Sequence, residues 1–152
     1  QLDREGSRLE AFVYKERALV MRQKLYGVSH PVVTECAKEL ALQYSIVAMD
    51  LVRAGDKEAS LQLVQKSEVV AASSLLFPDP IRRRQLVAVL SNNFGVYYKF
   101  LGKYSTALKY LQRALKIETT TPGCQNPAGT HLNVCALLSQ MGRHRSALHH
   151  GV

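Results

Sequence analysis

Apolar side chains recur every third or fourth residue over most of this chain, which is the spacing of one face of an α-helix. The clearest case lies around Gly102, in the stretch FGVYYKFLGKYSTALKYLQRALKIE (residues 94–118). The apolar positions are Leu90, Phe94, Tyr97 and Leu101 before the glycine, and Tyr104, Ala107, Leu111 and Ala114 after it. Small residues, among them Gly95, stand opposite large ones and allow two antiparallel helices to approach closely. The pattern therefore predicts a helical hairpin that turns at residues 101–103.

The same periodicity predicts helices along the rest of the chain and hence an all-α fold. We expect helices over 6–26, 31–54, 56–76, 80–101, 103–118 and 127–141, a loop over 119–125, and the beginning of another helix over 143–152. The predicted packing faces are Ala11, Tyr14, Ala18, Met21 and Leu25 in the first helix, Val33, Ala37, Leu40, Tyr44, Val47 and Leu51 in the second, and Ser60, Val64, Ser67, Ala71 and Ser74 in the third.

Glycine and proline divide the chain at a fixed interval. Turns are predicted at Gly6, Gly55, Gly102 and Gly142, and helix starts at Pro31, Pro80 and Pro127, each after a helix-capping residue (His30, Asp79 and Asn126). Three of the glycines are followed by a proline 25 residues later, at 6 and 31, 55 and 80, and 102 and 127. Small residues stand five positions after each glycine, at Ala11, Ser60, Ala107 and Ala147. This register predicts an internal repeat.

The hairpin around LGKY resembles the tetratricopeptide repeat, a helix-turn-helix unit of about 34 residues. The segments GSRLEAFVYKERALVMRQKLYGVSHPVV, LSNNFGVYYKFLGKYSTALKYLQRAL and HLNVCALLSQMGRHRSAL are similar to the longer repeats of kinesin light chains. The resemblance implies a right-handed α-solenoid of antiparallel helix pairs, with about three full hairpins and partial units at both ends. The units would be residues 1–27 (partial), 30–77, 79–121 and 126–152 (partial), within one domain that is a segment of a larger protein.

The resemblance also implies a concave groove lined by the first helix of each unit, in which kinesin light chains hold extended peptides. Asn93 and Asn133 match the family's groove asparagines, and Lys99 would favour an acidic ligand. Ile46 stands near the corresponding place in the unit that begins at Pro31, so one polar contact is missing there. The predicted apolar lining consists of Leu42, Met49, Val89, Val96, Phe100 and Ala136. The alternative for both asparagines is a structural amide that satisfies a neighbouring turn.

Charge is distributed unevenly between the two halves of the chain. Residues 1–76 contain ten Lys/Arg and ten Asp/Glu, whereas residues 77–152 contain ten Lys/Arg and only Asp79 and Glu118. The whole formal charge of +8 therefore falls in the second half, which predicts a basic surface for an acidic partner. The predicted basic patch comprises Arg82, Arg83, Arg84 and Lys103. The alternative is a solvated face that is balanced by acidic residues elsewhere in a longer chain.

Several classes of site find no support in the sequence. Cys36, Cys124 and Cys135 are odd in number and lie in or beside predicted helices, which indicates reduced thiols. No spacing typical of a metal site, phosphate loop, nucleophile elbow or catalytic carboxylate pair is present, so we expect neither a cofactor nor enzymatic activity. No apolar run reaches the ~18–20 residues of a membrane span, and we expect a cytoplasmic protein without a membrane partner.

Three functions follow as hypotheses. The first is a protein-interaction domain that holds an acidic or amphipathic peptide, or a neighbouring subunit, in its groove in the manner of a cargo adaptor. The second is an architectural subunit of a microtubule or ciliary assembly, in contact with acidic surfaces through its basic half. The third is nucleic-acid binding, for which the chain has charge but few interleaved aromatic residues beyond Tyr97, Tyr98 and Tyr104.

Overall fold

The structure, a computed structural model, describes residues 4–124 and 127–149. Over these ranges the chain forms helices and no strands, which confirms the predicted all-α class. The helices are α1 (Arg4–Tyr26), α2 (Pro31–Arg53), α3 (Lys57–Ala71), α4 (Pro80–Phe100), α5 (Tyr104–Thr120) and α6 (Pro127–His149). The right-handed winding implied by the resemblance stays a prediction.

The two hairpin turns at Gly55 and Gly102 have the same backbone geometry. Both glycines adopt positive φ, +95° and +79° respectively, which favours glycine because it has no Cβ. In the first turn, the N–H groups of Gly55 and Asp56 donate to the carbonyl oxygens of Val52 and Leu51. In the second, the equivalent bonds join Gly102 to Lys99 and Lys103 to Tyr98. This is the Schellman pattern of helix termination, repeated 47 residues apart.

Helix starts follow the predicted capping chemistry. The His30 Nδ1 atom accepts a hydrogen bond from the Val32 N–H at 3.1 Å, and a carboxylate oxygen of Asp79 accepts one from the Ile81 N–H at 3.0 Å. Both caps precede a proline at the first helical position, where the missing N–H costs nothing. The predicted cap at Asn126 lies outside the described residues.

Two predicted turns and one predicted helix end are wrong. Gly6 lies inside α1, and Gly142 lies inside a continuous α6, where we had expected a turn and a second helix. An isolated glycine costs only about 1 kcal/mol within a helix, so it permits a turn without requiring one. Helix α3 ends at Ala71, short of residue 76, and the Ser73 hydroxyl then accepts a hydrogen bond from the Leu76 N–H. Side-chain bonds of this kind compete with the helix.

The chain comprises two compact units, residues 1–86 and residues 87–152, with the boundary inside α4. In the N-terminal unit, α2 packs against α1 and α3. Buried residues of α2 include Val33, Ala37, Leu40, Tyr44, Val47 and Leu51, the predicted stripe. On α3, Ser60 and Ser67 are fully buried, and the Ser67 hydroxyl donates to the Ala41 carbonyl at 2.8 Å.

Helix α1 packs through a different face from the one predicted. Its buried residues are Phe12 and Leu19, whereas Tyr14, Met21 and Leu25 are 62%, 63% and 74% exposed. The Phe12 ring contacts that of Tyr44 on α2, with centroids 4.8 Å apart. In a helical hairpin of this repeat, the predicted stripe is the side of the second helix that packs against the first helix. Within the N-terminal unit, these three side chains are left exposed, while Phe12 contacts α2.

The C-terminal unit contains the rest of α4, together with α5 and α6. An ideal Cβ on Gly95 would lie 2.5 Å from the Leu111 side chain, which confirms the predicted close approach of α4 and α5. Ala107, Leu111 and Leu137 form a fully buried cluster that joins α5 to α6. The Tyr98 ring of α4 stacks on Tyr110 of α5, with centroids 5.4 Å apart and an interplanar angle of 9°.

Candidate functional site

An exposed apolar stripe runs along α4 within the C-terminal unit. Val89, Val96 and Phe100 are spaced at helical intervals, so their side chains lie on one side of the helix. Val89 is 48% exposed and Phe100 53% exposed, and Val96 is half-buried. Asn93 falls on the same stripe and is half-buried. These predicted groove residues therefore share a face.

Asn133 connects this stripe to α6 through a partner that we had not predicted. Its side-chain N–H donates to the amide oxygen of Asn92 at 2.9 Å. The bond places α4 and α6 side by side at this point, with both amides half-buried. Asn93 occupies the position of its repeat that Asn133 occupies in the next one, but it is Asn92 and not Asn93 that accepts the hydrogen bond from Asn133. The sequence does contain two adjacent asparagines, Asn92 and Asn93, as candidates for this contact. Consecutive helical residues point about 100° apart, so only one of the two can face α6.

The adjoining surface of α6 is also apolar. Leu132 is 71% exposed, and Ala136, one helical turn later, is exposed as well. Lys99 lies at the C-terminal end of α4 and is half-buried. We call Val89, Asn92, Asn93, Val96, Lys99, Phe100, Leu132, Asn133 and Ala136 the amide face. Its chemistry is a hydrogen-bonded amide pair bordered by apolar side chains and one cation, which suits an extended peptide with an apolar anchor.

The remaining predicted groove residues, Leu42 and Met49, belong to the N-terminal unit. Both are half-buried on α2. Ile46, which takes the place of a groove asparagine, is 55% exposed. It borders a shallow groove of about 320 Å³ between α1 and α2, together with Arg8, Ala11, Phe12, Lys15, Gln43 and Val47. This groove offers no amide pair like that of α4 and α6.

The predicted basic patch divides between the two units. Arg82, Arg83 and Arg84 occupy the first turn of α4 in the N-terminal unit, and Arg82 forms a long ion pair of 3.8 Å with Asp79. Lys103 is exposed at the start of α5 in the C-terminal unit, where its side chain makes no capping hydrogen bond. It lines a shallow cavity of about 380 Å³ with Arg145.

A second basic surface was missed by the sequence reasoning. Lys109, Arg113 and Lys116 are exposed on α5 and spaced by four and three residues, so they form one stripe, which we call the basic face. None of the ion pairs among the described residues involves them. The spacing of the cations in KYLQRALK (residues 109–116) is the sequence signal for this face, and it runs alongside the apolar stripe of the same helix. Glu118 is the single acidic residue of this unit, and one of its carboxylate oxygens is buried.

The titration behaviour of the described residues does not indicate catalysis. Burial, together with the neighbouring Glu16 carboxylate, raises the pKa of Tyr44 well above its ordinary value. Burial and the charge of Glu118 raise the pKa of Cys124, which disfavours its reactive thiolate form. Neither residue belongs to the amide face. In the described ranges, no three His, Cys, Asp or Glu side chains are grouped to bind a metal ion, and no helix is long and apolar enough to cross a bilayer.

Comparison with known proteins identifies a repeat family in the C-terminal unit. The family model of the tetratricopeptide repeat matches residues 87–119, which are the second part of α4, the turn at Gly102 and almost all of α5. No curated protein and no solved structure shows significant similarity to the chain. The matched region contains the stacked Tyr98–Tyr110 pair and the Gly95–Leu111 contact. Residues 87–119 are therefore similar to one tetratricopeptide hairpin, a repeat typical of protein–protein interaction scaffolds.

Proposed function

We propose that this protein is a non-enzymatic protein-interaction domain that binds a peptide segment of its partner on the amide face. The Asn92–Asn133 hydrogen bond carries the proposal, because it holds two amides in place among exposed apolar side chains. We propose cargo-adaptor binding of the kinesin light chain type by analogy, on the basis of the sequence resemblance.

The chemistry of binding would divide between three kinds of contact. Burial of an apolar side chain such as Phe100 contributes about 1.5–3 kcal/mol relative to full exposure, and less here because the side chain is only half exposed when free. Amide groups that remain available after the Asn92–Asn133 bond would pair with the peptide backbone, since each asparagine offers two donors and an acceptor. Lys99 would select an acidic residue, and the positive charge of the C-terminal unit would accelerate encounter.

Peptide selection followed by affinity measurement tests this proposal. Random peptides displayed on phage would be selected on the immobilised chain, and the enriched peptide would be titrated by isothermal calorimetry. We expect Asn92→Ala with Asn133→Ala, and separately Val89→Asp, to weaken binding about tenfold or more, as loss of 1.4 kcal/mol would. The control is Val69→Asp, the same substitution at an apolar position on α3 that is 72% exposed and lies outside the amide face. Unchanged affinity in both amide-face variants would overturn the proposal.

The basic face supports a second candidate function, that of an architectural subunit in a cytoskeletal or ciliary assembly in the cytoplasm. Lys109, Arg113 and Lys116 extend over about 10 Å of helix, at 1.5 Å per residue. A stripe of three exposed cations without a described acidic partner fits an acidic protein surface such as that of a microtubule. Nucleic acid is less well supported, because Tyr97 is buried and Tyr98 is stacked on Tyr110. Tyr104 packs against the apolar cluster of α5 and α6.

A further inference from the structure

The basic face lies on a side of α5 that the packing of this helix leaves accessible. Each of its three cations stands two residues after a fully buried residue, in the pairs Ala107 and Lys109, Leu111 and Arg113, and Ala114 and Lys116. Two residues correspond to about 200° around an α-helix, so the cations point away from the buried side. Any helix packed against the buried side therefore leaves the basic face open to a ligand.

The same side of α5 is polar along the whole helix. Exposed residues at intervals of three or four form a row without an apolar side chain, which consists of Ser105, Lys109, Gln112, Arg113, Lys116 and Thr120. This row extends over about 22 Å, at 1.5 Å per residue. Burial of apolar surface is the main favourable term in most protein associations. A ligand of this row must instead be held by charge and hydrogen bonds.

The equivalent side of α3 shows that the repeat does not require these cations. The turn glycines Gly55 and Gly102 set α3 and α5 in register, so the counterparts of the basic face are Gln62, Lys66 and Val69. The one cation among them, Lys66, is paired with Glu16 of α1. On α5, by contrast, none of the three cations forms an ion pair with a described residue. The uncompensated charge is thus particular to α5 and is not a feature of the fold.

The acidic residue of α5 does not neutralise this row. Glu118 follows Lys116 by two residues and so points to the opposite side of the helix. One of its carboxylate oxygens is buried and has no hydrogen-bond partner among the described residues. The three cations of the basic face lie within about 10 Å along the helix and repel one another. An acidic ligand would replace this repulsion with attraction.

The size of the row fits an extended segment better than a folded surface. A helix is about 10 Å wide, so the row offers about 220 Å². A stable interface between folded proteins takes about 800 Å² from each partner and has an apolar centre, and the row provides neither. An extended chain advances about 3.3–3.6 Å per residue, so about seven residues would lie along the row.

We propose that the basic face binds an extended acidic segment of a partner protein, about seven residues long, rich in glutamate or aspartate and without an apolar anchor. Its carboxylates would pair with the three cations and accept hydrogen bonds from the Gln112 amide. The inference rests on the second candidate function, and it specifies which part of an acidic partner is held. It also distinguishes the two surfaces by ligand, since the amide face takes a peptide with an apolar anchor.

Fluorescence anisotropy with a labelled heptaglutamate peptide provides the test, with heptaglutamine as the uncharged control. We expect heptaglutamate alone to bind at low salt, and added salt to weaken its binding steeply because the ion pairs are exposed. A peptide with the same glutamates and two interspersed prolines cannot form a helix, and its affinity should lie within about threefold of that of heptaglutamate. Absence of heptaglutamate binding at low salt would overturn the proposal. Loss of binding by the proline peptide would overturn the extended conformation of the ligand.

Charge-reversal variants locate the binding site. Replacement of all three cations of the basic face with glutamate should weaken heptaglutamate binding at least about tenfold. The same reversal at Lys15, Lys24 and Lys57, exposed lysines of the N-terminal unit, changes the net charge equally and should weaken binding less than about threefold. Equal loss in the two triple variants would contradict a site on the basic face.

A milder variant separates a lost contact from a lost fold. Arg113→Gln removes the central cation and should weaken heptaglutamate binding about threefold. Arg113 is exposed, so the far-UV circular dichroism and the urea midpoint should match those of the parent chain. Parental affinity in this variant would argue against a role for the central cation.

Two further results distinguish this inference from its alternatives. Binding of a labelled oligonucleotide of equal charge more than about tenfold tighter than heptaglutamate would overturn the choice of a carboxylate ligand. Heptaglutamate binding without microtubule binding would remove the architectural function for microtubules and retain the inference. Microtubule binding through the basic face without heptaglutamate binding would retain that function and remove the inference.

Discussion

Gly95 is the residue whose identity the packing of the C-terminal unit constrains most clearly. Its backbone is helical, and it lies where α4 approaches α5 so closely that an ideal Cβ would be 2.5 Å from both Cγ and one Cδ of Leu111. Leu111 is fully buried, so it has little room to move. The sequence already indicated a close approach here, since a glycine stood within an otherwise apolar helical stripe.

Gly95→Ala should therefore destabilise the protein, although alanine has the higher helix propensity. We expect a loss of about 1–3 kcal/mol in the free energy of unfolding, the usual cost of overpacking a core. Gly142→Ala is the matched control, because Gly142 is also helical but a Cβ there meets nothing within 4 Å. This variant should be neutral or up to about 1 kcal/mol more stable. Urea denaturation of both would decide, and equal effects would contradict the assigned close contact.

At the scale of elements, a single carboxylate joins helices α1, α2 and α3 of the N-terminal unit. Glu16 on α1 accepts a hydrogen bond from the Tyr44 hydroxyl on α2 and forms an ion pair of 3.1 Å with Lys66 on α3. The Lys66 ammonium also lies over the Tyr44 ring. The Tyr44 side chain is almost fully buried, so its hydroxyl depends on this partner.

Tyr44→Phe should cost about 1–2 kcal/mol of unfolding free energy at neutral pH, because Glu16 loses its donor. The folded state raises the pKa of Tyr44 above 10.0, so the neutral hydroxyl favours folding. That contribution is fully present below the unfolded pKa of 10.0 and is lost as pH rises above it. The difference in stability between parent and variant should thus narrow in alkaline urea titrations. A constant difference would show that neither burial nor Glu16 shifts the ionisation of Tyr44 in the folded state.

The hairpins could be predicted from sequence, because their turns and packing faces are determined by residues close together in the chain. These are the turn glycines and the stripe of large and small residues on each helix. Gly55 and Gly102 both ended their helices as expected. Gly142 did not, since a glycine permits a turn without enforcing one. The apolar pattern also did not determine which side of α1 is buried, because Phe12 and Leu19 lie on one side and Tyr14 and Met21 on another. Contact with α2 in the folded protein buries the first pair. The Asn92–Asn133 bond depends on how two distant helices pair, which one-dimensional spacing does not specify.

For the molecule as a whole, the two candidate functions differ most in how far binding depends on charge. The C-terminal unit contains seven lysines and arginines against one acidic residue, whereas residues 1–76 are balanced. Binding on the amide face would rest mainly on apolar and amide contacts, so salt should affect it weakly. Binding through the basic face would rest on exposed ion pairs, which salt screens over a Debye length of about 10 Å at 0.1 M.

Microtubule co-sedimentation over a range of salt concentrations tests the architectural function. If the basic face binds an acidic surface, the bound fraction should be high at low salt and fall steeply as salt is added. Replacing Lys109, Arg113 and Lys116 with glutamate should abolish binding, while Asn92→Ala with Asn133→Ala should leave it unchanged. Glutamate at Lys15, Lys24 and Lys57 is a charge-matched control, because these exposed lysines lie in the N-terminal unit and should matter far less. Equal loss in both triple variants would indicate attraction by net charge alone, and absence of sedimentation at low salt would eliminate the architectural function for microtubules.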